Sequence, residues 1–155
     1  MVEFQSISYP VRIHSGQDAL DKLPAELDRC GAKRALVLCG KSVAAKTDLI
    51  DRLRELLGER LVGVYSGIAK DAPVGCVQKA TEAARSPGAD ILLAVGAGSV
   101  IKAARIVAIL LAENKPIEQL VTQYPENGKP FTPRLDAPKR PVINILTAGT
   151  SAQNR

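Results

Sequence analysis

Gly96-Ala97-Gly98-Ser99 is the segment whose residue types carry the clearest chemistry. It follows an unbroken apolar run, Ile91 to Val95, and precedes residues with helical spacing. Glycines allow a sharp turn and let a ligand approach without a Cβ clash. The first N–H groups of a helix lack internal partners and, with the helix dipole, attract phosphate oxygens. Ser99 is placed to cap that helix or to donate its hydroxyl to a phosphate. Ile101 stands where the third glycine of a G-x-G-x-x-G fingerprint belongs. Gly40-Lys41-Ser42 ends like a P-loop, but Ala35 occupies the position of its first glycine. From these residues alone, a ligand-free strand-to-helix turn is as good a reading as a phosphate site.

Two further turns invite the same question. Cys39-Gly40-Lys41-Ser42 follows what reads as the second strand, with Ser42 placed as a helix N-cap. Dinucleotide folds commonly place an acid there to take ribose hydroxyls. Gly40 and Lys41 stand there instead, which removes repulsion toward a 2′-phosphate and suits NADP, although a capped helix start accounts for them equally well. Thr147-Ala148-Gly149-Thr150-Ser151 ends the last apolar run with small and hydroxyl residues, suited to close approach by a ligand or to a simple loop. Asp71 reads as a helix cap and His14, the only histidine, as structural. One histidine makes no metal site, and no Ser–His–Asp or Cys–His arrangement is visible.

The elements that must position these turns alternate. Val11 to His14 reads as a short strand and Gln17 to Cys30 as a helix that Pro24 kinks unless a second begins there; Gly31 stops it. Ala35 to Cys39 is a strand, Ser42 to Leu57 a helix ended by Gly58, and Leu61 to Tyr65 a strand. Pro73 starts a helix lined by Val77, Ala80 and Ala84. Ile91 to Val95, apolar on both faces, is a central parallel strand, followed by a helix from Val100 to Leu111. Glu113 to Arg140 is loop-like, with five prolines from Pro116 to Pro138, and Pro141 to Leu146 is a last strand. The alternation predicts an α/β fold: a Rossmann-like parallel sheet with helices on both faces, and ligands beyond the carboxyl ends of its strands.

Composition narrows the class. The 155 residues are 46% hydrophobic, 24% charged and 3% aromatic, so one domain is expected with a core of Ala, Val, Leu and Ile. The net charge of +5 is spread, and even Lys139-Arg140 reads as solvated surface, so no nucleic-acid patch is expected. Cys30, Cys39 and Cys76 are odd in number and widely spaced, which argues against a disulfide framework and for a reducing, cytoplasmic setting. The opening MVEFQSISYP lacks the pattern of a signal peptide, and the apolar stretch Ile106 to Ala112 is too short to span a membrane.

Taken in order, five segments resemble the N-terminal domain of the iron-containing alcohol dehydrogenase family, a relative of glycerol dehydrogenase and dehydroquinate synthase. They are Gly16 through Pro24, Lys33 through Ser42, Gly63 through Gly67, Gly96 through Arg105 and Leu146 through Thr150. The resemblance implies that Gly96, Ala97, Gly98 and Ser99 hold the pyrophosphate of NAD or NADP. It implies further that Thr147 and Thr150 lie near the nicotinamide, and Gly40 and Lys41 at the adenosine ribose. Departures mark a divergent subgroup: Ala97 replaces the middle glycine of Gly-Gly-Gly-Ser, Lys102 an aspartate, and Ser151-Ala152-Gln153 the usual Gly-Ser-Glu. Lys102 is expected in the first helical turn, where a cation opposes the dipole.

In that family a helical C-terminal domain supplies Asp and His ligands to iron or another divalent metal, which polarises the alcohol or aldehyde for hydride transfer. No such ligands stand in this chain, so residues 1–155 are expected to be a single dinucleotide-binding domain, catalytically incomplete by itself. A small-molecule substrate and a homo-oligomer are compatible with it; no nucleic-acid or membrane partner is expected. The alternative is a non-catalytic nucleotide-binding or interaction module that kept the fold.

Overall fold

The computed structural model describes residues 11–154; the segment 1–10, on which the reading of the amino terminus rested, lies outside it. Four strands, β1 (Ala35–Cys39), β2 (Leu61–Tyr65), β3 (Ile91–Gly96) and β4 (Val142–Leu146), form one parallel sheet in the order β2-β1-β3-β4. β1 and β3 are central and fully buried, which is why their sequences are apolar on both faces. The edge strands β2 and β4 are half-buried, apart from an exposed Leu146.

Side-chain alternation divides the core into two layers. Leu36, Leu38, Leu92 and Ala94 pack with α4 (Val74–Arg85) and α5 (Gly98–Glu113). Ala35, Val37, Cys39, Ile91, Leu93 and Val95 pack with α1 (Leu23–Arg29) and α3 (Leu49–Leu57). Small residues at Ala103, Ala104 and Ala108, all buried, keep α5 close to the sheet. The expected Rossmann-like class is therefore the observed one. No helix among the described residues is long and apolar enough to cross a membrane.

Several local expectations need correction. Residues 11–14 form no strand. Their alternation is used differently: Arg12 and His14 both reach Glu26, while Val11 and Ile13 face outward and are exposed. The stretch 17–30 begins with a 3-10 turn, Ala19–Lys22, and α1 proper carries Pro24 in its first turn, where no intrahelical N–H is required of it. The helix expected over 42–57 is two: α2 (Lys41–Lys46), then α3, broken at an extended Thr47. Thr47 Oγ1 donates to Val43 O at 2.7 Å, a local bond that competes with helix continuation. The helix expected from Val100 to Leu111 runs from Gly98 to Glu113, and Asn114 ends it in the left-handed conformation.

The proline-rich segment is anchored at its base. Glu113 and Lys139 form an ion pair; Glu113 also accepts the Ala137 N–H, and Lys139 Nζ donates to the carbonyls of Leu135 and Ala137. Lys139 and Arg140 are half-buried rather than solvated surface, because the chain folds back over them.

Candidate functional site

The connection leaving β1 runs through α3 on one face of the sheet, and that leaving β3 runs through α5 on the other. The two strands are neighbours, so a topological switch point lies between their carboxyl ends, where open α/β sheets take ligands. The register Cys39↔Val95 and Gly96↔Leu146 sets three sequence-predicted turns side by side: Gly40-Lys41, Gly96 to Ser99, and Thr147 to Thr150.

The central turn is tight for reasons internal to the protein. A Cβ on Gly96 would stand 2.7 Å from Val100 Cγ2, and one on Gly98 would stand 3.2 Å from Thr150 Oγ1. These glycines make room for protein packing within the turn. Ala97 is extended (φ −110, ψ −159), a conformation any residue adopts, so alanine fits the middle position without strain. What the turn leaves free is its backbone. Ala97 is the N-cap, with no side-chain cap, and the amides of Gly98 and Ser99 have no acceptor among the described residues. They open a sixteen-residue helix with no acidic residue in its own first turn.

Other side chains do different work from that expected. Ser99 does not cap α5; its Oγ accepts the N–H of Asp71 at 3.0 Å. Asp71 does not cap α4, whose N-cap is Pro73. Ser42 is not a cap either, since α2 starts at Lys41 with Gly40 as N-cap. Lys102 is the fifth residue of α5, exposed and beyond the first turn.

The flanking turns are equally defined. A Cβ on Gly40 would stand 3.3 Å from Ile68 O, and the Ile68 N–H donates to Cys39 O at 3.1 Å. Lys41 is exposed beside it. On the other side Thr147 N–H donates to Gly96 O at 3.2 Å, continuing the β3–β4 ladder past its last strand pair. Thr150 Oγ1 accepts the Ala152 N–H at 3.2 Å, and buried Ala152 seats the returning chain against α5. Gly149 faces open space.

The three turns form an open ledge. Two surface hollows lie elsewhere. One, at the amino ends of β1 and β2, is lined by Asp28, Gly31, Ala32, Lys33, Glu59 and Arg60; the other lies between Leu20-Asp21 and Arg52, Glu55 and Leu56. No group of three or more His, Cys, Asp or Glu among the described residues is arranged to hold a metal ion. His14 sits 2.9 Å from Glu26 at the far side of α1 and belongs to an ion-pair cluster.

Similarity to known proteins follows the same layout. Over 107 residues the chain is 39% identical to maleylacetate reductase 2 of Cupriavidus pinatubonensis, covering 69% of this chain and 29% of that protein. It is 31% identical over 153 residues to NADH-dependent butanol dehydrogenase B of Clostridium acetobutylicum, covering 95% of this chain and 35% of that protein. The chain thus spans about a third of the length of these relatives. Among solved structures, maleylacetate reductase from Rhizobium sp. superposes with a TM-score of 0.66 at 27% identity, over 93% of this chain and 43% of that one. Sulfoacetaldehyde reductase from Bifidobacterium kashiwanohense, solved in complex with NAD+, shares the fold with a TM-score of 0.74 at 17% identity, over 92% of this chain and 35% of that one. The sequence pattern described as iron-containing alcohol dehydrogenase matches residues 10–154, and the chain belongs to that family.

Proposed function

We propose that this chain is the NAD(P)-binding domain of an iron-containing alcohol dehydrogenase-like oxidoreductase. The observation that carries the proposal is the pair of unpartnered amides at Gly98 and Ser99, at the head of α5 and on the switch point of the sheet. Two adjacent donors with a helix dipole behind them match a diphosphate. In this reading Gly98 and Ser99 donate to the diphosphate oxygens, while Gly96 and Ala97 fix the turn that aims them. Gly40 and Lys41 flank the adenosine side, and Thr147 and Thr150 the nicotinamide side. The NADH dependence in the name of the Clostridium acetobutylicum relative supports the cofactor class.

The nicotinamide, when bound, supplies or accepts the hydride exchanged with an alcohol or aldehyde. The described residues do not fit the family's iron or another divalent metal. Hydride transfer is assigned to a longer protein in which a metal-binding domain joins this one.

Calorimetric titration with NADH and NADPH tests the binding role. The chain is expected to bind at least one of them without turnover, and Gly98→Val to lose binding. A branched side chain there starts 3.2 Å from Thr150 Oγ1 and displaces both the amide row and the threonine segment. A folded chain that gives no binding heat with either dinucleotide contradicts the proposal and leaves the alternative, a module that kept the fold without the cofactor.

A further inference from the structure

The segment between α5 and β4 carries a small arm. Gln123 and Phe131 pair antiparallel, each N–H donating to the other's carbonyl at 2.9 Å and 3.1 Å, and the hydroxyls of Thr122 and Thr132 meet beside them at 3.0 Å. The residues between, Tyr124 to Pro130, are all exposed. They reverse direction through Pro125 to Gly128, closed by one long bond from Gly128 N–H to Pro125 O at 3.3 Å. A lone two-stranded pairing of this kind is marginal in water, so the arm depends on the length of its turn.

Asn127-Gly128 stands at the tip of that turn. A Cβ at position 128 would lie 2.9 Å from Cγ of the rigid Pro125 ring, so the turn takes glycine. The same missing Cβ leaves the Gly128 nitrogen open to the side chain before it. The side-chain bonds of the arm join Thr122 to Thr132 and Gln123 to the carbonyls of Glu118 and Val121; the Asn127 carboxamide enters none among the described residues. The other asparagines, Asn114, Asn144 and Asn154, precede Lys115, Ile145 and Arg155, whose side chains crowd the nitrogen that follows. Asn144 is also fixed within β4, opposite Ala94.

We propose that Asn127 is a site of spontaneous modification, at which the exposed carboxamide closes on the Gly128 nitrogen and the arm's turn passes to isoaspartate. The Gly128 nitrogen loses its proton to solvent and attacks Asn127 Cγ. The new C–N bond displaces the side-chain nitrogen, which leaves with a proton as ammonia, and a succinimide ring remains. Water then adds to one ring carbonyl and breaks that carbon's bond to the nitrogen, which takes back a proton. Opening at Cγ gives aspartate; opening at the main-chain carbonyl gives isoaspartate. No oxidant or reductant takes part. Either product places a carboxylate where a neutral amide stood, beside Glu126. Isoaspartate also adds a carbon to the main chain inside the turn, which pulls Gln123 and Phe131 out of register and loosens the arm.

The test incubates the folded chain at neutral and at mildly alkaline pH, digests it in mild acid to halt the reaction, and maps its asparagines by peptide mass. Methyl transfer by an isoaspartate-specific carboxyl methyltransferase reports the isomer. The peptide spanning residue 127 is expected to change from amide to acid and to become a methyl acceptor. The change should be faster at the higher pH, because the attacking nitrogen must lose its proton, while Asn114 and Asn144 stay amides. Asn127→Gln, which would have to close a larger ring, should abolish the methyl acceptance. The modified chain, separated by anion exchange, should be cut within residues 122–132 by a nonspecific protease several-fold faster than the unmodified one. An Asn127 that stays an amide under conditions that convert a free peptide of residues 124–130 overturns the site, as does methyl acceptance that persists in Asn127→Gln. Equal cutting of the modified and unmodified chains overturns the loosening of the arm.

Discussion

Glu26 gathers three ion-pair partners, more than any other side chain described. It lies on α1, nearly buried, and takes Arg29 at 2.6 Å and both Arg12 and His14 at 2.9 Å. The Arg29 guanidinium first, then His14, hold its carboxyl down from an ordinary 4.5 to about 2, against desolvation; Arg12 adds to the lowering. A carboxylate depressed in the folded state stabilises it fully above the unfolded value. That contribution is lost as pH falls through the folded value. The stability of the chain is therefore expected to decline between about pH 4.5 and 2. Glu26→Gln should be less stable at neutral pH and show a flatter acid limb in that window, read from urea unfolding across pH. An unchanged acid limb contradicts this account of the cluster. His14 works in the same cluster as a structural partner, as its isolation in the sequence suggested.

At the scale of elements, the long segment between α5 and β4 depends on its closing pair. Glu113 is half-buried, with 7% of its side chain exposed, and Lys139, first, holds its carboxyl below the usual range, with the Ala137 amide helping. Lys139→Met leaves that charge buried and unpaired, a strongly destabilising change. The unfolding temperature should fall by several degrees, and cleavage within residues 114–138 by a nonspecific protease should quicken. Adding Glu113→Gln should recover part of the loss. If the single and double variants match the unmodified chain in both assays, the pair is not what closes this segment.

The elements differ in how far their sequences announce them. β1 and β3 were legible because central parallel strands are apolar on both faces, and α4 because its apolar spacing is regular. Val11 to His14 misled because its alternation serves an ion-pair cluster, not a sheet. The single helix expected over 42–57 misled because the apolar period starts only at Leu49, and Thr47 spends its hydroxyl on the preceding turn. At the candidate site the three turns were placed correctly. The capping expected of Ser99 and of Asp71 is replaced by a bond between them, which joins residues 28 apart in sequence. Local pattern holds no trace of such a contact.

For the whole molecule, the strand order is the decisive fact. β2-β1-β3-β4 puts the ends of β1, β3 and β4 in a row and gathers Gly40, Gly98 and Thr150, far apart in sequence, along one edge. The chain contributes an edge of backbone donors, and the part that matches covers 29% and 35% of the two relatives' own length. The most direct measurement is an amide NMR titration of the chain with NADH. The account predicts the largest shifts at Gly98 and Ser99, with smaller ones at Lys41, Asp71, Thr147 and Thr150. Shifts confined to the hollow around Asp28, Lys33 and Arg60, or none at saturating NADH and NADPH, would contradict it.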